Sequence, residues 1–331
     1  MTDPSGDLVI KPCTQPEIDF YQETVANHDE FAALLPTFMG TLQLGKSKQL
    51  EDTVKAAQSQ YGNPAIVLPG ETEAADSAAR SQTEAPRTRG KPLETELAIV
   101  LENVTAGFKR PNILDVKLGK RLWAEDAPDA KRQKLDKVAS ETTSGSLGFR
   151  IAGMKAWQSD RYRVFDKFYG RDRTAENVHE AFYDLFDADP DTGDLDILNE
   201  IIDGVVDAVE EIETTVANQE SRMYSSSLLL VYEGDRSARK EALDSAFSKS
   251  KARDSATSLP DGLDDVNDDD SNSDSEVEQI RDKKIFDIRI IDFAHAAWTP
   301  GLGPDENMLQ GIRSVRNILN DMASKVNRRH K

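Results

Sequence analysis

The segment from Pro111 to Gly119 has the pattern of a buried strand that carries two opposite charges. Its aliphatic side chains are those of Ile113, Leu114, Val116 and Leu118. Asp115 and Lys117 interrupt this apolar run, and both project from the same face because side chains alternate along a strand. Burying charge is costly unless the charge is paired or used. The segment therefore predicts a central strand that ends in either a structural ion pair or a chemically active pair.

The composition narrows the class of protein. The chain has 331 residues, enough for two lobes with a sizeable core, and its formal net charge of -19 argues against direct nucleic-acid binding. Nine acidic residues and no basic residue lie between Asp261 and Glu278, a composition typical of a solvated, disordered segment. Cys13 is the only cysteine, which excludes an intrachain disulfide and suits a reducing compartment. No run of 18 apolar residues occurs, so no transmembrane segment is predicted.

The N-terminal region predicts a strand followed directly by a helix. Leu8, Val9 and Ile10 form the apolar strand, Lys11 follows it, and the helix begins near Glu17. In kinases, a lysine at a strand end holds nucleotide phosphates and a helical glutamate orients that lysine. Lys11 and Glu17 are candidates for these roles. The alternative is an ordinary surface lysine in a weak ion pair.

Apolar runs and periodicities elsewhere predict a mixture of strands and helices. Strands are expected at 38–44, 97–101, 147–157, 225–232 and 286–293. Helices are expected at 126–138, 174–186, 194–216 and 305–325, with Thr174 as an N-cap. Two polar inserts, 46–92 and 235–280, interrupt this pattern; the first carries a short strand at 66–68 and a disordered part at 70–92. The fold class predicted is α+β.

A basic helix is expected soon after the charged strand. Between Lys117 and Lys137 there are seven basic and four acidic residues, although the chain as a whole is acidic. Lys131, Lys134 and Lys137 recur every third residue and share one broad helical face. Such a face is either simply solvated or a clamp for a ligand rich in phosphate.

The last predicted strand ends in a carboxylate. Asp292 follows the apolar run from Phe286 and precedes Phe293 and His295. Many phosphoryl-transfer enzymes hold Mg²⁺ with a carboxylate at the end of a late strand. Asp292 is therefore a candidate metal ligand.

Three motifs together resemble those of the inositol polyphosphate kinase family. The family signature P-x-x-x-D-x-K-x-G is matched at Pro111, Asp115, Lys117 and Gly119. A Ser-Ser-Leu-Leu element matches 226–229, and an Ile-Asp-Phe-Ala-His element matches 291–295. The resemblance covers most of 8–45, 95–235 and 284–322. Within the family, the short basic helix and the Phe-Ala-His ending look most like multikinases of the fungal style.

The resemblance implies a nucleotide site. Lys11 would contact the phosphates of ATP with Glu17 steadying it. Glu102 and Val104, after the strand at 97–101, would hold adenine through backbone groups at a hinge. Asp115 would hold the ribose and orient the site.

The resemblance also implies a transfer centre and an acceptor site. Lys117 would lie between the γ-phosphate and the acceptor, and Asp292 would coordinate Mg²⁺, helped through water by the hydroxyl of Ser226 or Ser227. The residues that would meet the inositol ring and its phosphates are Lys131, Lys134, Lys167 and His295. The catalytic set is thus Asp115, Lys117 and Asp292.

These assignments predict a two-lobed kinase-like fold. A small antiparallel-sheet lobe would span 1–103, and a larger α+β lobe would span 104–331, with disordered inserts at about 70–92 and 235–282. The predicted activity is ATP-dependent phosphorylation of inositol 1,4,5-trisphosphate and tetrakisphosphate toward pentakisphosphate. A phosphoinositide headgroup, that of phosphatidylinositol bisphosphate, is a further candidate substrate. The family also implies residence in nucleus and cytoplasm.

Other interpretations stay open. One is a single-step inositol trisphosphate 3-kinase or a hexakisphosphate kinase, although the former would carry a larger helical insertion at the acceptor site. Another is a weakly active or non-catalytic scaffold that binds transcription factors, because the family's segment ahead of Lys11 is expected to be missing or shortened. A common protein kinase is disfavoured, since no G-x-G-x-x-G loop and no His-Arg-Asp element occur.

Overall fold

The computed structural model describes residues 2–43, 95–158, 160–186, 195–244 and 284–329. The smaller of the two main sheets has three antiparallel strands in the order β1-β3-β2. Its strands are β1 (Leu8–Pro12), β2 (Phe38–Gln43) and β3 (Leu97–Glu102). Helices α1 (Gln15–Asn27) and α2 (Asp29–Ala32) connect β1 to β2. A single bridge from Thr2 to Val9 folds the residues ahead of β1 back onto that strand.

The second sheet has five antiparallel strands in the order β6-β5-β4-β8-β9. They are β4 (Pro111–Leu118), β5 (Phe149–Gln158), β6 (Arg161–Phe165), β8 (Ser227–Glu233) and β9 (Phe286–Ile291). A two-stranded sheet pairs β7 (Ser221–Met223) with β10 (Ala296–Trp298). The charged strand of the sequence analysis is β4, and it lies at the centre of the large sheet.

Five helices pack on the large sheet, and they are α4 (Thr143–Leu147), α5 (Lys167–Arg171), α6 (Glu180–Phe186), α7 (Leu195–Ala217) and α8 (Glu306–Arg329). Helix α3 (Asp129–Ser140) precedes them in the chain and packs beside α4. The apolar face predicted for α7 is buried from Leu198 to Val216, and α7 packs against α8. No helix in the described ranges is both long and apolar enough to cross a bilayer.

The period of two along β4 divides its side chains between two environments. Leu114, Val116 and Leu118 enter the main apolar core. Ile113 belongs to a second, smaller apolar cluster, and Asp115 and Lys117 share its side of the strand because they are separated from it by two and four residues. The sheet therefore presents its two charged side chains away from the core that stabilises it.

The predicted α+β class with antiparallel sheets is confirmed. The helix predicted from Thr174 begins instead at Glu180, because the Asn177 side chain accepts from the Thr174 amide and closes a turn there. Residues 236–244, assigned from sequence to the second insert, are helical, with Ala242 buried. The strand expected at 66–68 and the insert at 70–92 lie outside the described residues.

Candidate active site

Asp292 joins two lysines that come from different sheets. It follows β9 directly, and its backbone φ of 69° lies in the left-handed region, which is uncommon for a residue other than glycine. The Lys11 ammonium lies 2.7 Å from Oδ1 of Asp292, and the Lys117 ammonium lies 3.1 Å from Oδ2. One carboxylate thus places a lysine of the small sheet beside a lysine of the large sheet.

Glu17 completes this group of charges. Its Oε1 atom lies 2.8 Å from the Lys11 ammonium and accepts from the Phe293 amide at 3.4 Å. Glu17 is buried in α1, so it ties the end of β1 and the residue after Asp292 to the same helix. The predicted pairing of Lys11 with a helical glutamate is present.

Electrostatics keep the cluster ionised. Burial opposes the charged form of Asp292, but the nearby Lys11 and Lys117 outweigh burial and hold the pKa of the carboxyl well below its usual range. Burial likewise opposes the charged form of Lys11, yet Asp292 and Glu17 raise the pKa of its ammonium above the ordinary value. Asp292 therefore stays charged and serves as the counter-ion of both lysines.

Asp115 occupies a different environment on the same face. It is 4% exposed and stands opposite Gly153 on β5 and Leu229 on β8. Burial raises the pKa of this carboxyl, while Lys117 and a hydrogen bond with Ser227 act in the opposite direction. Its Oδ1 atom is buried and has no hydrogen-bond partner in the described structure. Such an oxygen is suited to accept from a ligand hydroxyl or to bind a cation.

Ser227 lies between the charged side chains of β4 and β9. It pairs with Lys117 in the register of β4 and β8, and its hydroxyl lies 3.3 Å from the Lys117 ammonium. Ser226, its neighbour, instead donates to the Met223 carbonyl. The sequence left Ser226 and Ser227 as alternatives, and of the two it is the Ser227 hydroxyl that lies beside Lys117.

The oxygen atoms of this site suit a divalent cation. No group of three or more His, Cys, Asp or Glu side chains in the described ranges gathers as a ready metal cage. Mg²⁺ commonly binds through one or two carboxylates together with substrate phosphates. Asp292, kept ionised, and the unpartnered oxygen of Asp115 supply hard ligands of that type, so the residues fit such a group.

A small apolar cluster lies on the same face of the large sheet. Its buried members are Val104, Ile113, Leu229 and Val231, and Phe108 and Ile291 pack against them. Val104 follows the end of β3, so the cluster connects the segment between the sheets to the face that carries Asp115. The amide of Glu102 donates to the Thr37 carbonyl, which fixes the backbone at the end of β3 beside this cluster.

Helix α3 supplies cations at the other end of the site. The Lys131 ammonium lies 3.2 Å from Nε2 of His295. Burial and the charge of Lys131 lower the pKa of the His295 imidazole. Lys134 is exposed on the same helix, whereas the Lys167 ammonium in α5 lies 5.6 Å from the ring centroid of Phe168. Lys131 and His295 are thus brought together, and a shared site with Lys167 stays a prediction.

Sequence reasoning missed the residue that anchors the end of β4. Oδ1 of Asn307, in α8, accepts from the amides of Lys120 and Arg121. Gly119 has a φ of 96°, and a Cβ atom there would lie 2.5 Å from Nδ2 of Asn307. Gly119, the glycine that ends the signature, is therefore required for the close approach of Asn307 to the end of β4. Asn307 lies 186 residues beyond Arg121, so no local pattern could have identified it.

The fold and the site define a phosphotransferase of the two-lobed kinase type. Two sheets flank a lysine–carboxylate–lysine cluster, an apolar cluster adjoins it, and a basic helix lies on the far side. These are the parts needed to align two phosphate-bearing ligands and to neutralise their charge.

Comparison with known proteins identifies the family. The model of the inositol polyphosphate kinase family matches residues 98–320. The chain is 32% identical to the inositol polyphosphate multikinase of Saccharomyces cerevisiae over 96% of its length and 93% of that protein. It is 31% identical to the multikinase of Schizosaccharomyces pombe over 68% of this chain and 72% of that one. The chain belongs to the inositol polyphosphate kinase family, whose members transfer phosphate to inositol phosphates.

A solved structure supports the same conclusion. The crystal structure of the Saccharomyces cerevisiae inositol phosphate multikinase in complex with ADP and Mn2+ matches with a TM-score of 0.64 and 27% identity. The match covers 96% of this chain and 99% of that one. Human inositol hexakisphosphate kinase 3 is a further relative, 28% identical over 68% of this chain and 51% of its own length.

Proposed function

We propose that this chain is an ATP-dependent inositol polyphosphate multikinase that converts inositol 1,4,5-trisphosphate through tetrakisphosphate to pentakisphosphate. The observation that carries the proposal is the Lys11–Asp292–Lys117 cluster, in which a single carboxylate holds two ammonium groups at the junction of two sheets. The similarity to a yeast multikinase over nearly the whole chain supports the substrate class.

The compact acceptor side supports sequential phosphorylation. Between β4 and β5 the chain forms only α3, with 12 residues, and α4, with 5 residues. A short helical segment leaves room for an inositol ring to bind in more than one orientation, which a multikinase needs. A site built for a single hydroxyl would hold the ring from more sides.

The nucleotide would lie along the face of the large sheet. The apolar cluster around Val104 and Leu229 suits adenine, with the carbonyl of Glu102 and the backbone of Val104 as the polar contacts. The unpartnered oxygen of Asp115 would accept from a ribose hydroxyl. Lys11, held by Glu17, would then meet the phosphates.

A divalent cation, Mg²⁺ in the cell, would bind Asp292 together with the nucleotide phosphates, with Ser227 in reach through water. It would supply charge neutralisation during transfer. When phosphates arrive, they would attract Lys11 and Lys117 away from Asp292, because each lysine gains a stronger anionic partner.

In the transfer step, the acceptor hydroxyl oxygen forms a bond to the γ-phosphorus while the bond to the bridging oxygen breaks, and the hydroxyl proton is released to water late in the step. The bridging oxygen keeps the electron pair and leaves as part of ADP. Lys117 would neutralise the charge on the transferred group. Asp292 would be bound to the divalent cation at this stage, so its role is charge and alignment rather than removal of the hydroxyl proton.

The acceptor phosphates would bind the cations of α3 and the adjoining imidazole. Lys131 and Lys134 project from one helix, and His295 lies 3.2 Å from the Lys131 ammonium. Lys167 would reach the ring from α5. Local cations of this kind are needed to bring two polyanions together in a chain of net charge -19.

The experiment that tests the proposal is turnover of ATP with inositol 1,4,5-trisphosphate and Mg²⁺, with the product isomers separated. The variant Lys117→Ala should lose activity, whereas Lys137→Ala, in an exposed pair with Glu141 near the end of α3, should retain it. A parallel reaction with phosphatidylinositol bisphosphate vesicles tests whether a lipid headgroup is accepted.

The products decide between the interpretations. Tetrakisphosphate followed by pentakisphosphate supports the multikinase. A tetrakisphosphate product that is never phosphorylated further identifies a single-step 3-kinase, and turnover of hexakisphosphate alone identifies a hexakisphosphate kinase. A folded chain that binds ATP but transfers no phosphate overturns the catalytic proposal and leaves a scaffold.

A further inference from the structure

Helix α3 is held by a small apolar cluster of its own rather than by the main core. Only Leu135 and Ala139 of this helix are buried, and they pack on Leu122, with Trp123 and Val138 partly buried beside them. A helix with so little buried surface depends on the few contacts at its edge for its position. Three of those contacts involve Trp123.

Trp123 lies between two arginines and donates a hydrogen bond to α3. The guanidinium carbon of Arg121 lies 3.9 Å from its ring centroid, and that of Arg132 lies 4.8 Å from it. Its indole Nε1 donates to Oδ1 of Asp136 at 2.6 Å. Since Arg132 and Asp136 both belong to α3, one side chain fixes that helix to the segment that leaves β4.

The same stack extends to the residue that contacts Lys131. Arg121 also lies over the ring of Tyr224, 4.9 Å from its centroid, and the Tyr224 hydroxyl donates to Glu125, which pairs with Arg121. The Tyr224 amide in turn donates to the carbonyl of His295 at 3.1 Å. Trp123 is therefore connected to both partners of the Lys131–His295 contact, to one through α3 and to the other through Arg121 and Tyr224.

We propose that Trp123 is a positioning residue that sets the affinity for the inositol phosphate acceptor by holding Lys131 against His295. Trp123 acts through α3 and touches no reacting atom. The inference rests on the proposed function, because it requires Lys131 and His295 to bind the acceptor. The proposed nucleotide contacts lie on β1 and β4, at the end of β3 and directly after β9. They are outside this stack, so the affinity for ATP should not depend on it.

The test measures the KM of each substrate and the Kd of inositol trisphosphate, by titration calorimetry, for the full chain. Trp123→Ala removes both cation–π contacts and the hydrogen bond, and should raise the acceptor KM and Kd about fivefold while the KM for ATP and kcat change less than about twofold. Trp157→Ala is the matched control. Trp157 also stacks with an arginine, because the guanidinium carbon of Arg110 lies 4.4 Å from its ring centroid. It lies near the C-terminal end of β5, outside the Trp123 stack, so Trp157→Ala should leave the acceptor constants at the wild-type values.

A double-mutant cycle tests whether Trp123 acts through Lys131. Lys131→Ala alone should raise the acceptor Kd about tenfold, and adding Trp123→Ala should then have a much smaller effect than in the wild type. Fully additive effects, or a rise in the KM for ATP equal to the rise for the acceptor, would overturn the inference.

Failure of the inference and failure of the proposed function give different results. If Lys131→Ala weakens acceptor binding but Trp123→Ala does not, only the role of Trp123 is wrong. If Lys131→Ala leaves the acceptor Kd unchanged, the proposed acceptor site is wrong and the inference falls with it. Should Trp123→Ala fail to fold, Trp123→Phe decides: a rise of about twofold in acceptor Kd supports the inference, and a wild-type value overturns it.

Discussion

The two ends of the candidate site are held in different ways. At the transfer end, Lys11, Lys117 and Asp292 are positioned by two sheets and a buried glutamate, and their contacts join segments that are far apart in the chain. At the acceptor end, Lys131 projects from a helix whose buried surface is confined to a small separate cluster. On the proposed assignment, the transfer geometry is fixed by more contacts than the acceptor geometry, so we expect the acceptor end to be the more adaptable of the two.

The largest expected effect is at the transfer end. Asp292→Asn leaves Lys11 and Lys117 without their shared counter-ion and removes the negative charge that is proposed to bind the cation, so kcat should fall by about a thousandfold or more. Initial rates at saturating ATP and inositol trisphosphate measure this. Asp235→Asn is the matched control, because Asp235 pairs with Lys109 beyond the far end of β8 and should leave kcat within about twofold. If Asp292→Asn kept a near-normal kcat, the transfer end would be no more sensitive to substitution than the acceptor end, and the comparison would fail.

The next effect separates nucleotide from acceptor. Lys11→Ala removes a cation that is proposed to meet the nucleotide phosphates, so the KM for ATP should rise about tenfold or more while the Kd of inositol trisphosphate stays unchanged. Kinetics with ATP varied and calorimetry without nucleotide measure the two quantities. A variant that weakens both ligands equally would show that the two ends are not independent.

The sequence predicted the transfer end in part. The period of two along β4 correctly placed Asp115 and Lys117 on one face, because alternation is a property of any strand. The contact of Lys117 with Asp292 spans 175 residues and was not predicted. The resemblance to a known family only assigned both residues to one transfer centre. No spacing rule reports which strand ends meet, since that depends on the order of strands in the sheet.

The acceptor end was less accessible to sequence reasoning. The charge run of α3 predicted a helix and its cations. The contact between Lys131 and His295, and the stacking of Arg121 on Trp123 and Tyr224, follow no recognisable sequence pattern. The start of α6 was also misplaced, because Thr174 is a residue type favoured both at N-caps and in the turns that precede them. Local chemistry indicates candidates, and tertiary contacts select among them.

Two lysines of α3 test whether the acceptor end has a defined binding site. Lys131→Ala should raise the acceptor KM about five- to tenfold, since it removes a cation next to His295. Lys137→Ala should leave it unchanged, because Lys137 forms an exposed pair with Glu141 at 3.8 Å that contributes little to stability. Acceptor-varied kinetics at saturating ATP compare the two. Equal effects from both substitutions would mean that α3 acts by its net charge and has no defined site.

The smallest effect concerns the charge of His295. Burial and Lys131 lower the pKa of its imidazole from the usual 6.5, so it is neutral at neutral pH and gains a proton only as the pH falls below that value. His295→Gln should therefore change the acceptor KM by only about two- to threefold and leave the shape of its pH profile between pH 6.5 and 8 unaltered. The pH profiles of the wild type and of His295→Gln are measured at the same constant ionic strength. Titration of the substrate phosphates contributes equally to both, so a difference between them reports on His295. An inflection within this range that disappears on substitution would show that His295 carries a proton near neutral pH. The acceptor end would then bind by a switchable charge rather than by a neutral hydrogen-bonding group next to Lys131.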